Sequence, residues 1–144
     1  MKLSTRSRYG TRLMFELALN YGQGTIFLKD VSKRQNISEK YLSNIIIPLK
    51  GAGLVSSVRG AYGGYMLTKA PGQITLKEIV LLLEGDLAVD SQENTDTSAH
   101  INVIDNVWVR MQTAIYEFLE GVTLHDLLDE YRDKNESESG MYFI

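Results

Sequence analysis

GLVSSVRGAYGGYMLT, Gly53 to Thr68, decides the fold. LVSSVR and GYMLT read as two short strands, and the glycine-rich run between them reads as the turn of a β-hairpin with Arg59 at its lip. What precedes the hairpin gives it meaning. SEKYLSNIIIPLKGAGL is a helix N-capped by Ser38, with Tyr41, Leu42, Ile45, Ile46 and Leu49 on its apolar face. Pro48 predicts a kink or fresh start in that helix, and Gly51 or Gly53 closes it. Upstream, FLKDVSKRQ (Phe27 to Gln35) is a short helix with Leu28 and Val31 inward, joined by a tight turn at Asn36 and Ile37. Helix, tight turn, helix and hairpin is the order of a winged helix-turn-helix.

Outward from this centre the chain stays helical. STRSRYGTRLMFELALNYG opens it, capped by Ser4 or Thr5, ended by Gly22, with Tyr9, Leu13, Leu17 and Tyr21 as a core stripe. After a turn at Pro71 to Gln73, TLKEIVLLLEG is a helix with Thr75 and Glu78 at capping-box spacing and Gly85 at its end. Residues 86–101 lose periodicity and read as a mobile loop. NVIDNVWVRMQTAIYEFLEG then forms the longest helix, and Thr123 caps a short last one, LHDLLDEYR. DKNESESG reads as disordered. The fold class expected is mainly α with a small β-hairpin. A winged domain over 1–85 precedes the loop at 86–101, a dimerisation helix and short C-terminal helix at 102–132, and a flexible tail at 133–144.

Charge separates along the chain. Residues 1–69 carry a surplus of eight positive charges and residues 70–144 a surplus of eleven negative ones, within a net charge of −3. A basic half suits a polyanion. Candidate contacts to duplex DNA are Ser38, Glu39, Lys40, Tyr41, Ser43 and Asn44 on the second helix of the helix-turn-helix. There Asn pairs with adenine, Ser donates or accepts, and Lys meets guanine or phosphate. Arg59 at the hairpin tip suits a narrow minor groove. Gly60 and Gly63, with Gly64, let the loop backbone come close, and Tyr62 stacks on sugar or covers phosphate. Arg6, Arg8, Arg12, Lys29, Lys33 and Lys50 are candidate phosphate contacts, supplying affinity rather than sequence choice.

The long helix carries more apolar surface than a small winged domain can cover. Val107, Trp108, Met111, Ile115, Phe118 and Leu119, with Val103 and Ile104, are expected to pack on a second copy, giving a homodimer on a palindromic operator. Catalysis finds no support: His100 lies in the loop, and His125 beside Asp126 is a lone surface pair. Zero cysteines exclude disulfides, thiolate catalysis and cysteine-ligated metal centres, and no metal or other cofactor is expected. With no long apolar run and no secretory signal, the expected location is cytoplasmic, away from membranes.

STRSRYGTRLM, ISEKYLSN, GLVSSVRGAYGGYML and VWVRMQTAIYEFLEGVTLHDL together resemble the Rrf-two family of bacterial winged-helix regulators, with the VRGxxGGYxL wing as the most specific piece. The resemblance spans nearly the whole chain. It implies a homodimeric transcription factor, a repressor, with a long crossing dimerisation helix and with Arg59 in the wing. Several members hold an iron–sulfur cluster on three cysteines in the loop before the long helix. Here that loop, Asp90 to His100, has none, and Asp105 stands where some members place a histidine. Ser43 and Asn44 replace the Glu and Gln common in the family's recognition helix. The GAYGGY wing, Pro48 and the ending MYFI are most similar to cluster-free members that repress cysteine metabolism. That likeness implies a partner, O-acetylserine (thiol)-lyase (cysteine synthase), receiving the tail Met141, Tyr142, Phe143 and Ile144. Direct sensing of a small molecule by the 90–100 loop and long helix is a second reading, and a protein-interaction adaptor without DNA binding a third.

Overall fold

The computed structural model describes residues 2–61, 63–85, 87 and 99–141. Helix α1 (Thr5–Leu19) begins at Ser4, whose hydroxyl accepts the Ser7 N–H. Helix α2 (Leu28–Gln35) ends on Asn36 at φ 54°, a left-handed position that asparagine tolerates. Helix α3 (Glu39–Gly51) starts at once, with the Ser38 hydroxyl accepting the Tyr41 N–H at 3.1 Å.

Pro48 does not begin a fresh helix, one of the two outcomes expected from sequence: α3 runs on through it. It lies in the last turn, where its carbonyl still accepts the Ala52 N–H at 3.0 Å. The carbonyl that its missing N–H leaves without a helical partner belongs to Asn44, an exposed residue. Gly53, at φ 78°, then closes the helix: its N–H donates to Lys50, and the Leu54 N–H donates to Leu49. This is a Schellman closure, with Leu54 and Leu49 both buried.

Strands β1 (Val55–Val58) and β2 (Gly64–Leu67) pair antiparallel, Val55 opposite Leu67 and Val58 opposite Gly64. Val55 and Leu67 enter the core, while Met66 faces water. On its other edge β2 is joined by Ile26, which exchanges two backbone hydrogen bonds with Tyr65 at 3.0 and 2.9 Å. The segment before α2 is thereby tied to the wing.

A 3₁₀ turn (Pro71–Gln73) leads into helix α4 (Leu76–Glu84). The Thr75 hydroxyl accepts the Glu78 N–H, but the Glu78 carboxylate pairs with Lys69 instead of closing the capping box. Helix α5 (Ala99–Glu120) starts three residues before the expected Asn102. Helix α6 (Leu124–Met141) runs on through the DKNESESG segment read from sequence as disordered. That segment lacks an apolar face, yet it contains no proline, and its Glu and Lys residues favour helix.

The core is one cluster beneath the helix-turn-helix. Leu13 and Leu17 of α1, Val31 of α2, Leu42, Ile45 and Leu49 of α3, and Ile79 of α4 are essentially inaccessible to water. Leu124 and Leu128 of α6 belong to the same cluster. Chain segments 74–76 and 122–124 pair to bring them there: the Leu76 N–H donates to Val122 and the Leu124 N–H donates to Ile74. Tyr21, expected in the α1 core stripe, lies beyond the helix end and is exposed. Among the described residues no helix is long and apolar enough to cross a membrane.

Candidate nucleic-acid interface

α3 is positioned by what it buries. Leu42, Ile45, Ile46 and Leu49 face the core, so helical periodicity turns Glu39, Lys40, Ser43 and Asn44 to water. Ser38 is exposed too, but its oxygen already accepts the Tyr41 N–H, leaving its O–H to donate. Ser43 is the reverse: its hydroxyl donates to the Glu39 carbonyl at 2.9 Å, leaving lone pairs to accept. Tyr41 is half-buried, its ring edge-on to Tyr9 with centroids 5.5 Å apart, and this contact braces α3 against α1.

The starts of α2 and α3 meet across an open groove of about 680 Å³. Phe27, Lys29, Asp30, Lys33, Glu39 and Ser43 line it. Lys29 and Lys33 are exposed, as phosphate contacts require. Arg6 and Arg8 stand exposed on the first turn of α1. Arg59 and Gly60 are exposed at the wing tip, and Tyr62, expected beside them, lies outside the described residues.

Arg12, a candidate phosphate contact, is exposed but held by contacts within the protein. Its guanidinium donates to the Gln35 side-chain oxygen at 2.8 Å and to the Gln35 carbonyl, and it lies over the Tyr9 ring. Gln35 in turn donates to Glu16, a nearly buried carboxylate that Arg34 also approaches at 3.3 Å. Nothing in the local pattern of α1 marks Glu16 or Arg12 as partners of a residue two elements away.

The wing glycines serve the fold itself. A Cβ on Gly63 would lie 2.2 Å from the Val58 carbonyl oxygen, and one on Gly64 would lie 2.6 Å from that of Ile26. Gly60 takes φ 111°, a conformation other residues rarely adopt.

On α5 the apolar stripe is open. Val107, Trp108, Met111 and Phe118 are exposed, Trp108 by 46% and Phe118 by 67%, while Ile115 and Leu119 are half-buried. The His125 ring approaches the Asp129 carboxylate at 3.3 Å on the exposed face of α6. Asp126 caps α6, accepting the Thr123 N–H at 2.9 Å, and this bond holds its carboxyl below the usual range. Met141 ends α6, and Tyr142, Phe143 and Ile144 lie outside the described residues, as does the 88–98 segment.

Residues 3–130 match the Rrf2 family, described as iron-dependent transcriptional regulator. The chain is 41% identical to the HTH-type transcriptional regulator CymR of Bacillus subtilis (strain 168), each covering the whole of the other. The solved structure of CymR, the global cysteine regulator of B. subtilis, superposes with a TM-score of 0.82 at 40% identity, covering 90% of this chain and 98% of that one. T. potens IscR superposes with a TM-score of 0.76 at 40% identity, covering 91% and 88%. The family description names iron, but the donor set here does not suit an iron–sulfur cluster. The chain has no cysteine, and among the described residues no three metal-binding side chains come together.

Proposed function

Since the chain belongs to the Rrf2 family of transcriptional regulators, we propose that it works as a homodimer mated through α5 on a palindromic operator. It is a winged-helix, DNA-binding regulator and not an enzyme. The observation that carries the proposal is the division of α3: four residues locked in the core, and Lys40, Ser43 and Asn44 left in water beside the Lys29–Lys33 groove. In this reading α3 enters the major groove, Arg59 reaches the minor groove, and Lys29, Arg6 and Arg8 meet phosphates. The exposed α5 stripe supports the dimer, because an apolar surface that size is costly to leave in water.

The likeness to a global cysteine regulator supports a role in repressing cysteine and sulfur genes in the cytoplasm. It also suggests a complex with cysteine synthase through Met141 to Ile144. Selection of bound sequences from random duplex DNA tests the main reading. An enriched inverted repeat is expected, and Arg59→Ala should lower affinity for it by about tenfold, a loss of about 1.4 kcal/mol. Unchanged affinity in Arg59→Ala would remove Arg59 from the interface. Removing Met141 to Ile144 should abolish binding to the synthase, and retained affinity would reject the tail contact.

A further inference from the structure

The first turn of α1 is an awkward place for Arg6 and Arg8. It contains no acidic residue, so two cations sit at the positive end of the helix dipole. Helix starts also leave backbone N–H groups unpaired and tend to fray. Contacts at Ser4 hold this one. The Ser4 hydroxyl caps Ser7, and the Ser4 backbone N–H donates to the carboxylate of Glu84, the last residue of α4. The helices cross closely, since a Cβ on Gly10 would come within 2.1 Å of the Leu83 side chain. Beyond Glu84 the chain turns at Gly85, φ 84°, and the Leu87 N–H donates to the Tyr116 hydroxyl of α5 at 3.1 Å. Glu84 therefore fastens the start of α1 to the end of α4, and Leu87 is tied to α5.

We propose that Glu84 is a positioning residue for DNA binding: by gripping the Ser4 backbone, it sets the turn that carries Arg6 and Arg8 against the phosphates. This rests on the DNA-binding reading above. The proposal fixes the sign of an effect. A carboxylate that merely added negative charge near DNA would, once neutralised, raise affinity. A carboxylate that places two phosphate-binding arginines would, once neutralised, lower it.

The test measures affinity of the full chain for its selected operator across a salt series. The variants are Glu84→Gln, Arg6→Ala/Arg8→Ala, and the three changes combined. Glu78→Gln serves as control, because it removes the same charge from α4 but pairs with Lys69. Glu84→Gln should weaken binding about five- to tenfold and flatten the plot of log affinity against log salt by about one to two phosphates' worth. In the Arg6→Ala/Arg8→Ala background it should have almost no further effect. Glu78→Gln should leave affinity equal or higher. Thermal melts check folding, and Glu84→Asp, which shortens the reach but keeps the charge, replaces Glu84→Gln if that chain does not fold. Unchanged or raised affinity in Glu84→Gln, or an equal loss with and without the arginines, overturns the proposal while wild-type binding stands. Absence of wild-type binding overturns the DNA-binding reading and this proposal together.

Discussion

The side-chain amide of Gln35 donates to the Glu16 carboxylate at 2.6 Å, closing the end of α2 onto the middle of α1. Glu16 is only 4% exposed, so that bond and the nearby Arg34 are what make its charge tolerable. The same Gln35 accepts from Arg12, and the first helix of the helix-turn-helix is thereby fixed on α1.

Gln35→Ala should therefore destabilise the fold by about 1–3 kcal/mol, the cost of a buried charged group losing a donor. Urea titration measures it. Gln35→Glu, which sets a second carboxylate against Glu16, should cost more. Equal stability of Gln35→Ala and wild type would mean that Glu16 is satisfied without it.

α6 belongs to the winged core through Leu124, which is fully buried, and Leu128. Leu124→Ala should cost about 2–5 kcal/mol, as a core cavity does. The loss should appear in a single cooperative transition shared with the α1–α3 core. A separate early transition for the C-terminal part would contradict that packing.

Gly63→Ala should damage the wing, because the new methyl group meets the rigid Val58 carbonyl at 2.2 Å. Operator affinity and stability should both fall. Gly51→Ala is the matched control. Its Cβ meets nothing within 4 Å and its backbone is helical, so stability should hold or rise by about 0.4–1 kcal/mol. Chemical denaturation of the two variants side by side gives the comparison.

Glu84 gives stability a pH dependence of definite sign. The Ser4 backbone N–H, acting on the charged form, holds its carboxyl below the ordinary value against a smaller opposing effect of burial. As pH falls the unfolded chain takes up the proton first. The stabilisation is thus present above the ordinary glutamate value of about 4.3 and is lost as pH drops through the lower folded value. Asp126, held down by the Thr123 N–H, acts in the same direction. Wild type should exceed Glu84→Gln in stability at pH 7, and the gap should close below about pH 4. A gap constant across pH would show that the carboxylate charge is not what matters.

The helix-turn-helix and wing were legible because their signals are local. Ser38 caps, Asn36 turns, the apolar residues of α3 repeat at helical spacing, and glycines separate two strands. What escaped is nonlocal or unpatterned. Ile26 joins β2 as a single residue, too short for any periodicity. The Arg12–Gln35 contact spans 23 residues and leaves no local signal. The end of α6 has no apolar stripe to betray a helix, and a proline alone does not say whether its helix runs on through it. Glycines 63 and 64 were visible, but the backbone of Val58 and Ile26 that crowds them was not.

Two chains joined along α5 should place two copies of α3 on one duplex. Sedimentation of the complex with the selected operator tests it most directly. Two chains per inverted repeat are expected. Trp108→Arg, a charge set into the α5 stripe, should leave a folded single chain with sharply weakened operator binding. One wild-type chain per duplex, or a Trp108→Arg protein that still sediments as a pair on DNA, would contradict it.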